Sequence, residues 1–188
     1  EDFQTSNTPE IVIDTFNGAI DVSRGDEGKV QVDVTKRASG VNEQAAEAAL
    51  DLVKVSMIQK DNTLTITAEM VENRPGNFGA SVVIAVPAGA ELKMHSSNGN
   101  IVCEQVTGKI AAKSSNGKLE IVDGAGELEL NTSNGSIDVA AANAMVEART
   151  SNGPIKFRGT LADGKHKFKT SNGRIELSLP ADTEFFFD

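Results

Sequence analysis

Apolar and polar residues alternate along most of this chain, and in its second half the alternation is organised around a fixed tripeptide. Ser-Asn-Gly stands at Ser97–Gly99, Ser115–Gly117, Ser133–Gly135, Ser151–Gly153 and Ser171–Gly173, in steps of 18, 18, 18 and 20 residues. After the tripeptides come Ile101 and Cys103, Leu119 and Ile121, Ile137 and Val139, Ile155 and Phe157, Ile175 and Leu177. Before them come Leu92 and Met94, Ile110 and Ala112, Leu128 and Leu130, Val146 and Ala148. Side chains of a strand point to opposite faces in turn, so this spacing predicts short half-buried strands on both sides of each tripeptide. The positions between carry charge, as at Lys118, Glu120, Glu129 and Glu147, and face solvent.

Two short strands and two turns in about 18 residues fit one coil of a solenoid. Equivalent strands of successive coils would then stack in parallel, roughly 4.8 Å apart. An antiparallel meander is the competing fold, because Asn-Gly favours tight hairpin turns. Stacking places like residue over like, and this repeat conserves residue types rather than pairing complementary ones, which favours a parallel β-helix. Ile101, Leu119, Ile137, Ile155 and Ile175 would form one interior column, and Ser96, Ser114, Thr132, Thr150 and Thr170 another. Asn98, Asn116, Asn134, Asn152 and Asn172 share the inward parity and are expected to stack as a buried structural ladder, since each amide both donates and accepts. Gly99, Gly117, Gly135, Gly153 and Gly173 are expected to supply a positive φ at the corner. Thr15-Phe16-Asn17-Gly18 is a degenerate copy of the same turn.

The first ninety residues follow a looser plan. Ile11, Ile13, Ile20, Val22, Val30, Val32 and Val34 keep the strand alternation, whereas residues 42–52 break it with an alanine-rich run. Asn42 suits an N-cap, Glu43 suits the first turn, and the alanines favour helix. Val53, Val55 and Met57 resume a strand, Asp61-Asn62 turns it towards Leu64 and Ile66, residues 72–77 read as a loop, and Val82, Ile84 and Val86 end at Pro87. The expected organisation is therefore a β region with one inserted helix over 1–90, acting as a cap, and a repeat solenoid over 91–188. Open solenoid ends require such caps.

Thr15 to Val22, the Thr35-Lys36-Arg37-Ala38 stretch, the alanine-rich helix, Val86-Pro87-Ala88-Gly89-Ala90 and the Thr-Ser-Asn-Gly repeats together resemble the bacterial and archaeal adhesin-type domains of unknown function, relatives of the autotransporter-adhesin head domain. The resemblance spans nearly the whole chain. It implies a β-solenoid with a helix-bearing N-terminal part, often at the cell surface, and it brings no catalytic residues.

Composition narrows the function. The 188 residues carry a formal charge of -9 and include no Trp, no Tyr and eight Phe. Residues 1–90 hold 14 acidic and 7 basic side chains, while residues 91–178 hold 10 and 11. The want of aromatic side chains argues against a carbohydrate-binding cleft of the kind built on aromatic platforms, and an acidic chain without them is a poor nucleic-acid binder, because that affinity rests on Lys, Arg and stacking. No apolar run is long enough to span a membrane. The single Cys103 excludes an internal disulfide, and its column of Ile121, Val139 and Phe157 makes it a buried apolar residue rather than a nucleophile. His95 and His166 lie coils apart and cannot share a metal, so no cofactor is expected. Glu120 and Asp138 form the best acidic pair, yet the outward columns mix signs where a polysaccharide-cleaving solenoid would concentrate carboxylates. The calcium-binding nonapeptide is absent. The chain starts at Glu1 rather than Met, as a removed leader or a trimmed terminus would leave it.

These features point to a non-catalytic structural or adhesive module, extracytoplasmic or at the cell surface, that presents a rigid face to a protein or cell-surface partner. The alternatives are a self-assembling filament subunit and, more weakly, a polysaccharide-acting β-helix enzyme. Phe185, Phe186 and Phe187 cannot all face one side of a strand and mark an expected association end.

Overall fold

The structure is a computed structural model describing residues 1–72, 75–181 and 183. It is all-β apart from one short helix and a 3-10 turn. The strands, in chain order, are β1 (Asp2–Gln4), β2 (Glu10–Thr15), β3 (Ile20–Arg24), β4 (Lys29–Arg37), β5 (Val53–Lys60), β6 (Thr63–Met70), β7 (Gly79–Val86), β8 (Glu91–Ser96), β9 (Ile101–Glu104), β10 (Ile110–Ser114), β11 (Leu119–Thr132), β12 (Ile137–Thr150), β13 (Ile155–Leu161), β14 (Lys167–Thr170) and β15 (Ile175–Ser178). They pair into one sheet of mixed orientation that folds back on itself in a solenoid-like way.

Pairing within the repeats is parallel and not that of a meander. One wall runs through β6, β2, β8, β10, the second half of β11, the second half of β12, and β14. The other runs through β7, β3, β9, the first halves of β11 and β12, β13 and β15. The register places Ile110 beside Leu128, Leu128 beside Val146, and Leu119 beside Ile137. Like therefore lies over like, as the repeat predicts. From β8 onward each chain passage crosses from the first wall to the second at a Ser-Asn-Gly corner.

The first coil in sequence is not the first in space. β2 and β3, joined by Thr15–Gly18, lie between β6–β7 on one side and β8–β9 on the other. The degenerate turn thus occupies a regular corner, and strands before residue 90 are continuous with the repeat walls. Beyond β6 and β7 the orientation reverses: β5 pairs antiparallel with β6, β4 with β7, and β1 with β4.

The helix α1 spans Glu43–Ala49 and continues as the 3-10 turn Leu50–Leu52. Asn42 caps it, its side chain accepting from the Ala45 amide at 2.8 Å. None of its residues is fully buried, but Ala49 and, in the following turn, Leu52 pack partly buried against the small apolar cluster of Val53, Ala68, Phe78 and Ala80.

The core is a stack of aliphatic layers between the walls. Ile20, Ile101, Leu119, Ile137 and Ile155 make one column, and Val22, Cys103, Ile121, Val139 and Phe157 another, all buried. The expected interior column fails at its last member. Ile175 pairs with Ile155 but is 40% exposed, because no further coil covers it among the described residues. Phe185, Phe186 and Phe187 lie outside the described residues.

Ile137 has a neighbouring coil on both sides. Ile137→Ala is expected to lower unfolding free energy by about 2–5 kcal/mol in denaturant titration. Ile175→Ala, at a side chain already part exposed, is expected to cost less than about 1 kcal/mol.

Candidate functional site

Three residues divide the work of each corner: the serine or threonine before the tripeptide, the glycine and the asparagine. The hydroxyl preceding each tripeptide points inward and is buried at Thr15, Ser96, Ser114, Thr132 and Thr150. Each one donates to a backbone carbonyl of the adjacent coil. Ser96 donates to Gly18 at 2.8 Å, Ser114 to Gly99 at 3.0 Å, Thr132 to Gly117 at 3.0 Å, Thr150 to Gly135 at 2.9 Å and Thr170 to Gly153 at 2.9 Å. Thr15 does the same to Ala80 at 2.9 Å. A buried hydroxyl without such a partner would be costly.

The glycines serve contact distance rather than dihedral freedom. None of Gly99, Gly117, Gly135, Gly153 or Gly173 has a positive φ, contrary to expectation. A Cβ on any of them would instead overlap the carbonyl oxygen of the preceding turn glycine, from Gly18 up to Gly153. Backbone stacks on backbone here, and glycine is required because a side chain would force the coils apart.

The asparagines form a continuous hydrogen-bonded file. Asn116 Nδ2 donates to Asn98 Oδ1 at 2.7 Å, Asn134 to Asn116 at 2.8 Å, Asn152 to Asn134 at 2.8 Å and Asn172 to Asn152 at 2.9 Å. The inward placement expected from parity does not hold, since all five are exposed. The corner itself changes the direction of the chain between Ser96 and Gly99, so strand parity stops applying there.

The other singled-out groups are not brought together. His95 lies on the outer face of β8, with Nδ1 2.8 Å from Asp14 Oδ1. His166 accepts the Val146 amide at Nδ1 (3.2 Å) and donates from Nε2 to the Ala162 carbonyl (2.9 Å), filling the ladder where the last repeat is longer. Cys103 is buried, and desolvation, with a smaller contribution from Glu104, pushes its thiol up to about 12. Glu120 and Asp138 do stack in adjacent coils, but Lys118 bridges them at 3.0 and 2.8 Å. Its ammonium is held above the usual lysine range, first by the Asp138 hydrogen bond. No grouping of His, Cys, Asp and Glu able to hold a metal occurs among the described residues. No helix there is long and apolar enough to cross a membrane.

One feature was legible as a column but not as a site. Lys113, Asn131, Arg149 and Lys169 are register neighbours on β10, β11, β12 and β14. Beside them runs a row of corner serines, Ser133, Ser151 and Ser171, and the two rows line an open cleft of about 320 Å³. The alternation of the repeat gives the row. Only the bend of the sheet at the corner raises the serines beside it.

Comparison with known proteins adds a family. The sequence profile of Toastrack DUF4097 matches residues 88–188. No curated protein matches the chain. Among solved structures, a candidate cell adhesion protein from Clostridium sporogenes ATCC 15579 is similar at 10% identity and a TM-score of 0.39, over 95% of this chain and 98% of that one. A candidate adhesin from Bacteroides fragilis NCTC 9343 is similar at 16% identity and a TM-score of 0.40, over 95% of each chain.

Three substitutions separate the corner tasks. Asn134→Ala removes two exposed side-chain bonds and should cost about 0.5–1.5 kcal/mol. Thr132→Val leaves the Gly117 carbonyl without its side-chain donor and should cost about 1–3 kcal/mol. Gly117→Ala, which sets a methyl against backbone, should exceed both in the same denaturant titration.

Cys103 gives a pH dependence. The folded thiol titrates at about 12 and the unfolded one near 9.0, so only the unfolded state loses its proton between those values. By linkage, the thiol's contribution to stability is intact below pH about 9 and declines as pH rises towards about 12. Wild type should lose stability in that window relative to Cys103→Ala, and its thiol should resist alkylation at neutral pH until the protein unfolds.

Proposed function

The chain belongs to the Toastrack DUF4097 family, and we propose that it serves as a non-catalytic adhesive surface module that presents a rigid β-solenoid face to a partner. In this reading the coils repeat at about 18 residues, and residues 1–90 close one end through the antiparallel strands β4 and β5. The module works outside the cytoplasm, at the cell surface or secreted. The observation that carries the reading is the division of the repeat's polar groups. The hydroxyls that precede the tripeptides are consumed inside by backbone carbonyls, and the asparagines by one another. Lys113 and Lys169 lie outside with no ion pair among the described residues, held in rows by strand pairing. Stacked strands fix such rows more firmly than loops would, and preorganised groups lose less freedom on binding.

A second reading, a self-assembling filament subunit, is favoured by one observation. The last coil leaves Ile175 40% exposed, with Phe168 and Leu177 only partly buried. Unpaired strand edges and apolar surface at a stack end invite another chain. Sedimentation at rising concentration separates the two readings, since a filament subunit would grow in mass and a presenting module would not.

The location is checked by antibody labelling of intact native cells. The surface reading expects labelling without permeabilisation. Labelling only after permeabilisation would contradict it.

A further inference from the structure

We propose that the cleft beside the corner serines binds an acidic polysaccharide laid along the stacking direction, with its carboxylate or sulfate groups over Lys113, Arg149 and Lys169. This rests on the surface-module reading and supplies its ligand class.

The argument starts from spacing. Neighbouring strands lie about 4.8 Å apart, so Lys113 and Arg149 stand roughly 10 Å apart along the row and Lys169 a further strand away. Three cations in a line cannot converge on one small anion. They match a chain that carries an anionic group at intervals. All three are exposed, so each keeps its charge available at the surface. Lys113 and Lys169 have no ion pair among the described residues, in contrast to Lys93, Lys109 and Lys118, which are paired with Glu10, Glu127 and the Glu120–Asp138 pair. Arg149 alone is shared, with Glu147 two residues back on its own strand.

The second wall of the cleft decides what lies between the charges. Ser133, Ser151 and Ser171 are exposed hydroxyls at the strand repeat, and Asn131 adds an amide. Each of these groups can both donate and accept, which suits the hydroxyls of a sugar. On the far side of the cation row stand Glu129 and Glu147, followed in register by Lys167, so that side is acidic opposite Asn131 and Arg149 and there repels an anionic chain towards the serines. A nucleic acid fits less well. Its affinity grows with the number of phosphates neutralised, the row offers three cations, and the cleft has no aromatic surface for base stacking.

The surrounding charge gives the site direction. Residues 1–90 carry twice as many acidic as basic side chains, 14 against 7, whereas residues 91–178 are balanced at 10 and 11. An approaching polyanion is therefore repelled by the N-terminal part and accepted by the repeats. The row ends in the same sense: His95 follows Lys113 in register and is occupied by Asp14.

The test uses the full chain and four probes: polygalacturonate, heparin, neutral dextran and a thymidine oligonucleotide. At about 50 mM salt the wild type is expected to bind polygalacturonate or heparin, to weaken at about 200 mM as ion pairing is screened, and to ignore dextran. Replacing Lys113→Gln and Lys169→Gln together should weaken binding by about tenfold or more. Lys54→Gln, on the distant strand β5, should leave it unchanged. Asn131→Lys fills the neutral place in the row and should tighten it several-fold. Unaltered melting temperatures establish that these surface variants remain folded. The proposal is overturned if neither acidic glycan binds, if the double variant binds like wild type, or if the oligonucleotide binds as tightly as the glycans. Surface labelling of cells without glycan binding would remove the ligand and leave the surface reading standing. Glycan binding by a chain confined inside the cell would do the reverse.

Discussion

At each Ser-Asn-Gly turn, glycine rests so closely on the glycine carbonyl one coil away that no side chain fits between the two backbones. The rest follows from it. Coils that approach so closely must stack in register, so every apolar position lies over its equivalent and the interior becomes a set of columns. The carbonyls at the contact are screened from water by the same approach and require a donor, which the serine or threonine before the turn provides. The asparagine is left at the outer rim, where it bonds its counterparts above and below. One tripeptide and its preceding hydroxyl thus fix spacing, register and polar satisfaction together.

Much of this was legible because a fixed period and a strict alternation are both written in residue types. The Ile101 to Ile155 column and the buried hydroxyl column follow from counting, and the likeness of Thr15–Gly18 to the repeat marks it as a corner. The errors fall where counting by twos stops. At the corner the chain turns, so Asn98 and its equivalents face solvent despite their parity. Glycine was expected for its φ, yet its use is steric, and steric contact with another coil leaves no local mark in the sequence. The order of coils was also hidden. That β2 and β3 slot between β6–β7 and β8–β9 depends on which strands meet across long loops, which no local pattern records.

Function is separated from folding by the same geometry. Inward groups, the corner glycines and the corner asparagines are used up by the stack. The outward groups are free to vary without disturbing it, yet they inherit its spacing. A row such as Lys113, Asn131, Arg149 and Lys169 is therefore a ruled surface, with charge placed at strand intervals and hydroxyls beside it. As a column of mixed residues it looked unremarkable in the sequence, because the serines that complete the cleft belong to the corner.

The most direct measurement is native-state hydrogen exchange at the corner amides. The Asn134 amide donates to the Ser115 carbonyl at 2.9 Å and the Asn152 amide to Ser133 at 2.8 Å, across coils. If close backbone stacking at the corner organises the fold, these amides exchange as slowly as those of Leu130 and Ala148 in the adjoining strands, and only through global unfolding. Fast exchange at Asn134 and Asn152, with the strands still protected, would show that the corners are ordinary mobile turns and would contradict the account.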